Sequence, residues 1–165
     1  MCHAPSGAIT KEQGGCMWKR LGVAILLWCA VSTAQAKVFD DKSELRPFLD
    51  SVMQIVADGK FDQAISKFRP YMTMPEDQIQ GVALQIKSAR QQAKTLLGET
   101  IGYEYLGKKV VGESLIRFVY LEKTTKSPLV WVFVMYRNDE GWVIPSFQFN
   151  AGTEEPFYRD YDPEE

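Results

Sequence analysis

The feature that most constrains this chain is a change of hydrophobic period near Gly98. Before it, Ile79, Val82, Ile86, Ala89, Ala93 and Leu96 recur at intervals of three and four, the spacing of one helix face. After it, apolar residues alternate. Four such runs follow: Thr100 to Leu106, Glu113 to Glu122, Leu129 to Arg137 and Trp142 to Phe149. The links between them, Gly107-Lys108-Lys109, Lys123 to Ser127 and Asn138-Asp139-Glu140-Gly141, are too short for crossovers, so neighbouring strands run antiparallel.

Two shorter helices precede the long one. Arg46-Pro47 opens the first, which carries Phe48, Val52, Ile55 and Val56 and stops at Asp58-Gly59. Phe61, Ala64, Ile65 and Phe68 mark the second, which stops at Arg69-Pro70. Thr73 and Glu76 stand at capping-box spacing before the third. The expected fold is α+β: three N-terminal helices packed on a curved four-stranded antiparallel meander.

The N-terminal segment has the marks of an address. Lys19-Arg20 precedes an apolar run from Leu21 to Val31, and the small-x-small triplet Ala34-Gln35-Ala36 follows. These are the three parts of a secretory signal peptide. The run falls short of the roughly 20 residues that span a bilayer. The expected division is a leader over residues 1–36 (core 17–36, with translation starting at Met1 or Met17), a single α+β domain over 37–150, and an acidic tail over 151–165. Cleavage is expected between Ala36 and Lys37, with export to the periplasm or beyond. Trp28 before Cys29 argues against lipidation there.

Removing the leader decides which chemistries remain. Lys11, Lys19, Arg20 and Glu12 leave with it, so 16 basic and 20 acidic residues remain in 129. His3, Cys2, Cys16 and Cys29 leave too. No histidine base, thiol nucleophile or thiolate metal site is then available. The acidic balance speaks against nucleic acid as a partner. No glycine-rich phosphate loop or calcium loop is present, so no cofactor and no metal is expected. The expected mature chain has no integral membrane segment.

Sorting side chains by alternation gives two expected sheet faces. Ile116, Phe118, Tyr120, Val130, Val132, Val134, Val143, Phe147 and Phe149 would lie under the helices. Arg117, Val119, Trp131, Phe133, Met135, Ile144 and Ser146 would lie on the other side. That second face is too apolar for open water, so Arg117, Trp131, Phe133, Met135 and Ser146 are the candidate partner or ligand face. A homodimer through it is expected, with a small apolar ligand or a covering tail as alternatives. The tail itself, six acidic residues and one arginine without periodicity, is expected to fray. On β-register Glu104 points under the helices beside Tyr103 and Tyr105. A carboxylate there would have a raised pKa, as a proton-abstracting base needs, whereas a strand-end glutamate turned to solvent would not.

Several stretches together carry a family resemblance: the Gly59-Lys60-Phe61-Asp62 turn, Leu96-Leu97-Gly98, Leu129-Val130-Trp131-Val132-Phe133, and Gly141 through Phe149. Over residues 45–150 the chain resembles small exported bacterial proteins of the nuclear-transport-factor-two-like (cystatin-like) superfamily. The resemblance implies a curved sheet wrapped around helices, a pocket at the wide end and dimers through the outer sheet face. Some members are isomerases or dehydratases using Asp, His and Tyr; without a mature histidine the His-Asp chemistry is out of reach. The expected function is therefore non-catalytic binding of a small apolar ligand or a protein partner. The alternative is an isomerase or lyase with Glu104 as base and Tyr103 or Tyr105 as donor.

Overall fold

A computed structural model describes residues 36–152 and 154–162. The leader's basic, apolar and small-residue segments lie outside the described residues, apart from Ala36. A single 3-10 turn, Lys42–Glu44, comes first. It carries a capping box: the Ser43 N–H donates to Asp41 and the Asp41 N–H donates to Glu44. Three helices follow, α1 (Leu45–Ala57), α2 (Phe61–Phe68) and α3 (Glu76–Leu97). Pro47 sits inside the first turn of α1, where its missing N–H leaves no helical bond unmade. The expected box at Thr73 and Glu76 does not form. Pro75 is the N-cap of α3, and Glu76 pairs instead with Arg69.

Strands β1 (Thr100–Val111), β2 (Leu115–Thr124), β3 (Leu129–Arg137) and β4 (Trp142–Asn150) then form one antiparallel sheet in the order of the chain. The α+β expectation holds. Gly98 separates the two halves with φ of 81°, a left-handed turn that a glycine takes without a Cβ clash. Among the described residues, no helix is long and apolar enough to cross a membrane.

The core lies between the helices and one sheet face. Leu45, Leu49, Val52, Met53 and Val56 of α1, with Ala64, Ile65 and Phe68 of α2, pack on Ile116, Phe118, Tyr120, Trp131, Phe133, Met135 and Ile144. This corrects the expected faces. On β2 the inward set is as expected, but on β3 it is inverted: Trp131, Phe133 and Met135 are wholly buried under the helices. Val130 and Val132 lie on the far side with Val119. The reason is register. Tyr120 stands opposite Trp131 and Glu122 opposite Leu129, so these pairs share a face. On β4 a shift opposite Val134 and Tyr136 lets both Ile144 and Phe147 turn inward.

The long helix is also rotated from its expected stripe. Ile79, Ile86 and Leu97 are buried, whereas Leu96 is 74% exposed and Ala89 faces solvent. Ala93 lies outside the described side chains. The C-terminal half of α3 thus turns Arg90 and Leu97 toward the sheet.

Candidate functional site

Among the described residues, Glu122 is the buried charged side chain. It sits on the inward face of β2, next in the alternation after Tyr120, and has no exposed surface. Arg90 of α3 reaches it with two parallel bonds, from Nη1 to Oε2 at 2.8 Å and from Nη2 to Oε1 at 2.7 Å. Thr100 donates its hydroxyl to Oε1 at 2.6 Å, and Trp131 donates its indole N–H to Oε2 at 2.9 Å. Each carboxylate oxygen therefore accepts two bonds. A carboxylate fixed this way has its acceptor positions taken and none left to take a proton from a substrate. The Arg90 guanidinium also lies 5.0 Å over the Phe61 ring, which fixes its plane.

Arg90 and Thr100 floor an open cavity of about 590 Å³ between the α1–α2 turn, α3 and the start of β1. Its rim is charged, but each of three lysines already faces an acid: Lys60 with Asp58, Lys87 with Asp62 and Lys94 with Glu99. The mouth has no surplus of either sign with which to draw in a charged ligand.

The sequence-expected base is elsewhere. Glu104 stands opposite Leu121 on the outer face and is exposed, which removes it from the pocket role. Tyr103 and Tyr105 do turn inward, against Tyr120. The carboxylate that meets these rings is Asp50 of α1, which accepts the Tyr120 hydroxyl at 2.9 Å. Burial, then the Asp50 charge, hold the Tyr120 phenol far above its ordinary pKa. Tyr103 is raised for the same two reasons in the same order. Tyr120 is wholly buried, so a substrate cannot reach its hydroxyl, and the pair ties α1 to β2.

The outer sheet face carries a second feature. The expected partner residues divide here: Arg117 lies on it, and Ser146 is placed there by its pairing with Val134. Trp131, Phe133 and Met135 do not belong to it. The tail, expected to fray, is seated on this face instead. The Asp162 N–H donates to the Lys108 carbonyl at 2.8 Å, and its carboxylate accepts the Val110 N–H at 2.6 Å. Asp160 and Asp162 flank the Lys109 ammonium at 2.7 and 3.0 Å. Arg117 Nη2 donates to the Asp160 carbonyl at 2.9 Å. Tyr161 lies on Gly107, where a Cβ would sit 2.7 Å from the ring; only glycine admits that approach. Tyr161 then packs with Leu106 and Leu121 around the buried Val119, Val130 and Val132.

Between tail and sheet a groove of about 380 Å³ remains, walled by Leu106, Leu121, Pro128, Pro156, Phe157 and Tyr161. Phe157 hangs over it on a short 3-10 turn, Glu155–Tyr158, and is 84% exposed. Among the described residues no group of three His, Cys, Asp or Glu side chains is placed to hold a metal ion. No protein-family model matches this chain, and a search of curated proteins finds no relative.

Proposed function

We propose that this is an exported, non-catalytic binding protein of the nuclear-transport-factor-two-like superfamily, whose outer sheet face takes a small apolar guest. The observation that carries the reading is the groove beside the tail, walled by apolar side chains and overhung by Phe157. A large apolar ring left in water over an apolar cleft is the usual surface of a ligand or partner site. Three facts support the non-catalytic half. Glu122 has all its acceptor positions taken, Glu104 faces solvent away from the tyrosines, and Tyr120 is sealed from any substrate. The superfamily reading draws support from helices that precede one antiparallel meander.

Native mass spectrometry of the protein isolated from its own cell tests the reading. A retained apolar molecule, lost in Leu121→Asp, is the expected result. A bare chain that also fails to take up any alkyl compound offered in solution overturns it.

A homodimer through the outer face is the competing reading. It is favoured by the exposed row Val111, Leu115 and Tyr136, which stand side by side on β1, β2 and β3. Light scattering coupled to size exclusion decides between them: a monomer with a bound apolar guest supports the first, an empty dimer the second.

A further inference from the structure

Among the described residues no carboxylate answers Arg117 on the outer face. Lys109 and Arg117 stand directly opposite each other on β1 and β2, a placement in which like charges repel. The tail brings Arg159 to the same place, where burial and then the Arg117 charge push its pKa down. Among the described residues, the tail carboxylates of Asp160 and Asp162 both go to Lys109. Arg117 receives a neutral backbone carbonyl at one nitrogen, and its Nε is buried with no acceptor among the described residues. A buried guanidinium N–H left unpaired costs the desolvation of that group, and a charged acceptor is what relieves it.

The apolar groove begins on the same face. Arg117 and Leu121 lie four residues apart on β2, about 13 Å along a strand, with Val119 between them. Tyr161 joins the two: its ring lines the groove, and its phenol lies within electrostatic reach of Arg117 and Arg159. From this juxtaposition we infer that the guest is an anionic amphiphile, a medium-chain carboxylate whose head group meets Arg117 Nε beside Arg159 and whose hydrocarbon lies along Tyr161 into the Leu106–Leu121 groove. This inference rests on the proposed binding of an apolar guest at that face and adds the head group.

Calorimetric titration of the full chain, in the form its cell accumulates, with dodecanoate and with dodecanol separates the two layers. Dodecanoate is expected to bind about tenfold tighter or better, the effect of one charge-assisted bond. That preference is expected to collapse in Arg117→Gln. Equal affinities overturn the head-group inference and leave the apolar groove standing; no binding of either compound overturns both. The Arg117 Nε–H resonance of the unmutated protein gives a readout that needs no variant to fold. It should shift with dodecanoate and stay in place with dodecanol. A resonance that ignores dodecanoate while calorimetry reports binding places the head elsewhere and overturns the inference.

Discussion

Arg90 and Glu122, 32 positions apart in the chain, face each other through two parallel hydrogen bonds between α3 and β2. Among the described residues few other polar contacts join the long helix to the inner face of the sheet, and this one spans the two halves that the change of period separates. Removing the arginine leaves the carboxylate buried with only Thr100 and Trp131 to hold it. Arg90→Met should cost about 3–5 kcal/mol of stability. Chemical denaturation measures it. A midpoint equal to wild type would mean that water solvates Glu122 as well as Arg90 holds it.

Trp131→Glu separates the observed register from the expected one. Were Trp131 on the outer face, the variant would fold as a monomer. Trp131 is wholly buried and its indole donates to Glu122, so the variant sets a second carboxylate against the first. It should lose cooperative melting altogether. A folded, soluble Trp131→Glu protein would invert the sheet assignment.

Ile86 packs into the core from the middle of α3 and is 4% exposed. Ile86→Asp buries an unpaired carboxylate there or forces α3 off the sheet. The cost should be several kcal/mol, comparable with the whole margin of a domain this size. A thermal midpoint within a few degrees of wild type would place that stripe in water.

The tail contact should be pH-sensitive at both ends of the scale. The Val110 N–H and then Lys109 hold the Asp162 carboxyl below the ordinary aspartate value of about 3.9. A lowered folded pKa means the contact contributes fully above that value and is lost as pH falls through the lower one. Lys109 is raised by Asp160 and then Asp162. Its share is present below about 10.4 and fades as pH rises through the raised value. Hydrogen exchange at the Val110 amide should therefore stay protected across the neutral range and lose protection only below about pH 4 or in strong base. Loss of protection near pH 6 would contradict the assignment.

Signal-peptide removal predicts an intact mass for the exported protein that begins at Lys37. The Lys37 nitrogen already donates to the Pro70 carbonyl at 2.7 Å, a bond that a new amino terminus can keep. Recovery of an uncleaved chain from the cytosol would end the export reading.

The element order and the β2 face were legible because alternation and short links report them directly. The β3 face was not. Its parity depends on which residues pair across the Lys123–Pro128 connection, and either choice buries a plausible row, valines or Trp131 with Phe133 and Met135. Glu122 escaped for a related reason: beside Lys123 and Thr124 it looks like the polar end of a strand. Its signal was parity, since it falls next after Ile116, Phe118 and Tyr120. Arg90 had a similar signal, four residues after Ile86 and seven before Leu97, but a cation in a polar stretch is ordinarily solvated. The seating of the tail left no periodic trace, because it rests on one glycine without a side chain and on backbone groups of β1.

The order in which the elements appear also sets a timetable. Synthesis delivers α1, α2 and α3 first, yet the layer they cover is built around Tyr120, Trp131 and Phe133, which come later. A nascent chain that stops at residue 128 has three amphipathic helices and only the β1–β2 half of the sheet on which to lay them. It should be cut readily by protease, whereas one that has released β3 and β4 should resist. Until β3 and β4 emerge, this polypeptide should remain threadable, able to pass through a narrow channel without first being pulled apart.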